Sequence, residues 1–228
     1  MAAYDLEEQE QLDELKTWWG QYGNQITTVI TIVALTVAGW QGWSYWQRQQ
    51  AGKASSVFMA LEQNVGARDA KKVRELAGEL IEKYPGTTYA SMGALLSARA
   101  QVDFGDAKTA HVQLQWVAEH GKDDVMRDLA RLRLAALLLD EKAYDDALKQ
   151  LATAPQAALE ARFAELKGDV LVAQGKKADA AKSYAAALDA VDKAQKPESG
   201  KEGKDANSPH EPYRNMVQSK LDSLGGVK

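Results

Sequence analysis

The residues able to carry acid–base or metal chemistry are few in this chain. Its three histidines, His111, His120 and His210, are scattered. His111 and His120 lie nine residues apart, which puts them on different faces of a helix rather than side by side as ligands. His120-Gly121 reads as a helix C-terminus, where an imidazole suits the carbonyl end. The acidic pairs Asp123-Asp124 and Asp145-Asp146 stand at helix starts, where carboxylates complement the dipole, so they read as caps rather than metal ligands. There is no cysteine, which removes disulfides, zinc–thiolate sites and thiol nucleophiles. Neither a phosphate loop, H-E-x-x-H nor G-x-S-x-G is present. The sequence names no catalytic residue, no metal ligand, no cofactor and no small-molecule substrate. A net charge of −4 without a clustered basic surface gives no case for nucleic acid. The chemistry that remains is that of surfaces, lipid contact and protein recognition.

Lipid contact is written into residues 21–46. No charged side chain occurs between Lys16 and Arg48, and the middle is the apolar run Ile26 to Trp40. A helix crossing a bilayer core needs about 20 such residues. Trp18, Trp19 and Tyr22 precede the run, and Trp40, Trp43, Tyr45 and Trp46 close it. Tyr22 and Trp43 would lie about 30 Å apart along a helix, the separation of two interfacial belts. The threonines in the run are tolerable because a helical hydroxyl can bond back to a carbonyl one turn earlier. The preceding residues are acidic rather than basic, which argues for a retained anchor over a cleaved signal. Ala34, Ala38 and Gly42 recur every four residues, either as a packing ridge for another membrane helix or as ordinary small-residue content. Residues 1–20 form an acidic tail, solvated or a small docking element. Basic residues are denser after the anchor (Arg48, Lys53) than before it (Lys16), which by the positive-inside rule would leave the following domain in the cytoplasm.

Residues 47–193 alternate helix and short break. Helices are expected at 48–65, 69–84, 88–104, 107–120, 123–140, 144–154, 157–174 and 178–193, with Gly66, Pro85-Gly86, Gly105, Gly121 and Gly175 as punctuation. Three stretches resemble the tetratricopeptide unit, a helical hairpin of 34 residues with small residues at the helix crossing. They centre on Ala98 with Ala110, on Ala135 with Ala147, and on Gly168 with Ala180. Ala147 and Ala180 are 33 residues apart. The expected class is therefore all-α, one N-terminal transmembrane helix followed by a tetratricopeptide-like α-solenoid. In that geometry the first helix of each hairpin lines a groove for a segment of another protein. The register places Met92, Leu95, Arg99, Val102, Leu129, Leu132, Ala136, Leu139, Arg162, Glu165 and Asp169 on that face. The other reading of Leu129, Leu132 and Leu139, and the one favoured for any single residue, is a core buried by the neighbouring hairpin. Residues 194–212 are polar and rich in proline and glycine, the composition of a disordered loop. Met216, Val217, Lys220, Leu221 and Leu224 then recover helical spacing, so residues 213–228 read as a capping helix and tail.

The layout resembles the YfgM family of bacterial inner-membrane proteins. The matching stretches are Gly42-Trp43-Ser44-Tyr45-Trp46, Leu132-x-Leu134-Ala135, Gly168-x-x-Leu171-x-x-x-Gly175 with Ala180, and Met216-x-x-x-Lys220-Leu221-x-x-Leu224. The resemblance implies an ancillary subunit of the SecYEG translocon, with a cytoplasmic N-terminus and a periplasmic helical domain. It also implies contact with PpiD, a membrane-anchored periplasmic chaperone, and with secreted client chains. It carries over no catalytic residue. The rival reading is a cytoplasm-facing adaptor that recruits a soluble partner through the same groove.

Overall fold

In a computed structural model, residues 2–194 and 211–225 are described, with side chains from Leu15 onward. Most of the expected 194–212 loop lies outside the described residues. The described residues form nine helices and no strand: α1 (Ala2–Gly66), α2 (Ala70–Lys83), α3 (Thr88–Asp103), α4 (Ala107–His120), α5 (Asp124–Asp140), α6 (Tyr144–Gln150), α7 (Ala157–Ala173), α8 (Lys177–Ala194) and α9 (Glu211–Ser223). The class is all-α, as expected. Two compact units divide the chain, Met1–Gln50 and Ala51–Lys228.

The first unit is one helical stretch, long and apolar enough to cross a membrane. Its threonines return their hydroxyls to the backbone: Thr27, Thr28, Thr31 and Thr36 donate to the carbonyls four residues earlier at 2.7–2.8 Å. That leaves none of these four hydroxyl protons unpaired toward hydrocarbon. Trp18 stacks obliquely on Trp19 and Tyr22, and Trp43 on Trp46. The expected separate helix at 48–65 is instead the continuation of α1, because no proline and only one glycine, Gly52, stands between Trp46 and Gly66 to break it.

In the second unit a single turn geometry recurs four times. Arg68, Gly105, Lys142 and Gly175 have φ of 58°, 82°, 62° and 77° and lie 37, 37 and 33 residues apart. Each closes its helix with the same pair of bonds. The turn residue's N–H goes to the carbonyl three back, and the next N–H goes to the carbonyl five from its own position. This is the Schellman arrangement, which satisfies carbonyls left free at a helix end. Glycine adopts the left-handed conformation without strain at two of these turns, and Arg68 and Lys142 adopt it at the others. The structure thus has four hairpins, not the three that the sequence displayed. The end of α1 with α2 is the first; α3–α4, α5–α6 and α7–α8 follow.

Counting from each turn residue brings the helix crossings into register. Seven positions before it stand Leu61, Ala98, Ala135 and Gly168, and nine positions after it stand Ala77, Leu114, Leu151 and Tyr184; all eight are buried. The pairs read Leu–Ala, Ala–Leu, Ala–Leu and Gly–Tyr. As one member grows the other shrinks, which keeps each crossing filled at close-packed density.

Two boundaries differ from expectation. Helix α6 ends at Gln150 rather than residue 154. Pro155 disfavours helical backbone before it, and the Gln156 N–H donates to Oδ2 of buried Asp128 on α5 at 2.8 Å, drawing the segment away from the helix axis. At the other end, Ala194 belongs to α8 while Glu211 and Pro212 open α9, where a first-turn proline costs no hydrogen bond.

Candidate functional site

The first helices of the hairpins lie side by side, α3 against α5 and α5 against α7, and so form one continuous layer. On α3, Met92, Arg99 and Val102 reach solvent, Met92 and Val102 with 37% and 46% of their surface. Leu95 does not. It is 7% exposed, in one cluster with Ala94, Ala98, Leu114 and Leu134, so its assignment to the groove is corrected to the core. On α5, Leu129, Leu132 and Leu139 are partly buried against that same cluster, and Ala136 is half-buried between them. The apolar half of the expected groove is therefore mostly the flank of the core, because neighbouring hairpins close over it.

The charged half is also engaged, by the chain's own last helix. Lys220 on α9 donates from Nζ to Glu165 at 2.7 Å and to Asp169 at 2.7 and 2.9 Å. Tyr213 Oη donates to Glu165 at 2.8 Å, and the Arg162 guanidinium lies over the Tyr213 ring, 5.1 Å from its centroid. Tyr184 on α8 donates its Oη to Asp169 at 2.7 Å. Below this polar layer Val217 is fully buried in one cluster with Leu171, Ala180, Tyr184 and Leu188. Glu165 and Asp169 thus bind α9 rather than standing open for a partner, a second correction to the expected groove. Burial, and then hydrogen bonding to a carboxylate, pushes both Tyr184 and Tyr213 well above the ordinary phenol range. Burial alone would lower the Lys220 pKa, but Asp169 and Glu165 more than offset it and hold it above the usual value.

Sequence reasoning missed Arg133. Its Nη1 donates to the Leu95 carbonyl across the α3–α5 seam at 3.3 Å, beside Arg99. The available signal was spacing, since Arg133 falls between Leu132 and Ala136 on the very face assigned to the groove.

The other candidates resolve simply. Asp123 caps α5 by accepting the Met126 N–H, and Asp124 pairs with Arg127. Asp146 pairs with Lys149, and Asp145 accepts from Gln174. His120 stacks on Trp116 with its Nδ1 3.1 Å from the Trp116 carbonyl, at the end of α4. His210 lies outside the described residues. On α1, Ala34 and Ala38 line a shallow apolar depression with Val33 and Val37, and a Cβ added at Gly42 would meet nothing. Trp18, Trp19, Tyr22, Trp40, Trp43, Tyr45 and Trp46 all have exposed rings.

Comparison with known proteins agrees with this architecture. Residues 16–226 match the family described as tetratricopeptide repeat-like domain. The chain is 31% identical to the ancillary SecYEG translocon subunit of Neisseria gonorrhoeae, over 98% of this chain and 100% of that protein. It is 30% identical to the protein of the same name in Haemophilus influenzae, over 81% of this chain and 90% of that one. The Escherichia coli K12 protein of that name is 29% identical over 61% of this chain. No solved structure matches the chain. A helix fit for the membrane, four hairpins with one turn geometry, and similarity running from end to end lead to one assignment: the chain belongs to the ancillary SecYEG translocon subunit (YfgM) family, built on a tetratricopeptide repeat-like domain.

Proposed function

We propose that this protein is a non-enzymatic scaffold held in the bacterial inner membrane by residues 21–46 and associated with the SecYEG translocon. Its acidic tail faces the cytoplasm and its hairpin domain the periplasm. There it links export to a PpiD-like chaperone and to emerging client chains. The observation that carries the reading is the similarity over the whole length of a relative named for the translocon, anchor included. The exposed apolar surface of α1 supplies the membrane contact, and the small residues Ala34, Ala38 and Gly42 suit close approach of a channel helix.

Exchanging residues 21–46 for an unrelated transmembrane helix of equal length is expected to remove the chain from SecYEG complexes purified in mild detergent. Substitutions on α3 should leave it there. Undiminished recovery after the exchange would overturn an anchor-mediated association.

The orientation has its own test, because Arg48 and Lys53 favour the cytoplasm-facing adaptor. The chain has no cysteine, so Lys122→Cys, at an exposed turn, is a unique probe. A thiol reagent that crosses only the outer membrane is expected to label it in whole cells. Protection until lysis would replace the periplasmic scaffold by the adaptor.

A further inference from the structure

One residue breaks the pattern that the hairpins otherwise repeat. Nine positions before the turn residues stand Met59, Leu96, Arg133 and Leu166. Leu96 and Leu166 each pack against an apolar cluster. Arg133 puts a guanidinium in the same place. It is half-buried, and of its five possible donors one reaches an acceptor, the Leu95 carbonyl at 3.3 Å. That oxygen already serves the Arg99 N–H within α3. Arg99, one turn on, is exposed. Among the described residues, neither arginine forms an ion pair with a carboxylate.

The seam between α7 and α9 shows what such a contact looks like when its charges are balanced. Asp169 holds on α7 the position that Arg99 holds on α3, six before the turn residue, and Glu165 holds the position of Leu95. The cation arriving from the next helix there, Lys220, meets two carboxylates. At the α3–α5 seam the arriving cation, Arg133, reaches the Leu95 carbonyl, one helical turn before a second cation, Arg99. Burial lowers the Arg133 pKa, and the nearby Arg99 charge lowers it further. Leucine would remove both costs, as it does in the neighbouring hairpins, so stability does not account for the arginine. An anion seated between the two guanidinium groups would.

We infer that Arg99 and Arg133 form a carboxylate-binding site that takes an acidic side chain from a segment of a partner protein. Two planar guanidinium forks suit a carboxylate bidentately. Met92 and Val102, exposed on the same stripe of α3, extend the contact to apolar side chains of that segment. They span about 15 Å along the helix, a length that suits several residues of peptide and that a lone lipid headgroup would leave uncovered. The inference rests on the proposed use of the first-helix layer for partner binding. It is independent of the anchor, so its failure would leave translocon association standing.

The test uses the full chain in detergent micelles and a displayed library of random twelve-residue peptides, selected at low salt. The recovered pool is expected to be enriched in aspartate or glutamate next to apolar residues. A binder from it should lose at least tenfold in affinity to Arg99→Gln and to Arg133→Leu, lose as much when its acid is replaced by the amide, and weaken with salt. Arg133→Leu should keep or raise Tm, since leucine is the residue the neighbouring hairpins use. A pool without acidic enrichment, or binding indifferent to both variants, overturns the site. So does a lower Tm for Arg133→Leu, which would make the arginine structural. Vesicles rich in anionic phosphatidylglycerol binding through these two arginines, with no acidic peptide recovered, would make it a lipid site instead.

Discussion

Gly168→Ala is expected to destabilise the helical unit by about 1–3 kcal/mol, the usual cost of overpacking a tight contact. Helix propensity predicts the opposite sign, since alanine is favoured over glycine by about 1 kcal/mol in a helix interior. The geometry decides between them. A Cβ added at Gly168 would lie 2.6 Å from Cδ1 of the Tyr184 ring, far inside contact distance. The ring cannot simply turn aside, because its hydroxyl is tied to Asp169 and its body is buried. The equivalent crossings show the remedy. Where Ala135 replaces the glycine, Leu151 replaces the tyrosine. Adding Tyr184→Leu to Gly168→Ala should therefore recover a large part of the loss, short of the Asp169 hydrogen bond. Urea denaturation of the two singles and the double measures the coupling. A neutral or stabilising Gly168→Ala would mean that volume is not what pairs these positions.

Lys220→Ala is expected to cost about 1–3 kcal/mol, in the range for hydrogen bonds to charged groups and for stranding partly buried carboxylates. Partial exposure of the pair keeps it below the cost of a fully buried one. Lys220 is the sole cation bridging Glu165 and Asp169 among the described residues, so its loss leaves two carboxylates facing each other under α9.

The pH dependence has a definite sign. The folded-state pKa values of Lys220, Tyr184 and Tyr213 all lie above their ordinary values. A group raised on folding contributes in full below its unfolded pKa and loses that contribution as the pH rises towards the folded one. The ordinary values are 10.0 for tyrosine and 10.5 for lysine, so the stability that holds α9 is complete at neutral pH and declines above about pH 10. Thermal melts between pH 8 and 11 should show Tm falling more steeply for the native chain than for Tyr213→Phe or Lys220→Met. Parallel curves would remove these groups from the attachment of α9.

Much of this was legible in the sequence, for local reasons. An uncharged run bounded by aromatics specifies a membrane-compatible helix whatever else the chain does, and its threonines return their hydroxyls to their own backbone. Helix ends were visible wherever the turn residue is glycine, as at Gly105 and Gly175. The helices of the first hairpin were visible but its kinship with the other three was not, because its crossing pair is Leu61 with Ala77. The small residue has changed sides there, so the alanine or glycine that marks the first helix of the other three hairpins is missing. The helix at 144 was expected, but its end was placed at 154 rather than Gln150, because that end is set by Asp128, a partner twenty-eight residues before Gln156.

The face for partners was the least legible part, since helical spacing ranks residues by direction and not by what lies opposite. Leu95, Glu165 and Asp169 point where the register says. Only the packing shows the first inside the core and the other two bound to α9. The sequence by itself showed most helical runs, a membrane-compatible segment and three of the four hairpins, because helix periodicity and turn signals are local to one segment. The tertiary structure alone decided which charges meet. Lys220 stands across from Asp169, and Arg133 across from the Leu95 carbonyl, because distant segments come together at the seams between hairpins, and nothing in the spacing of either segment specifies its partner.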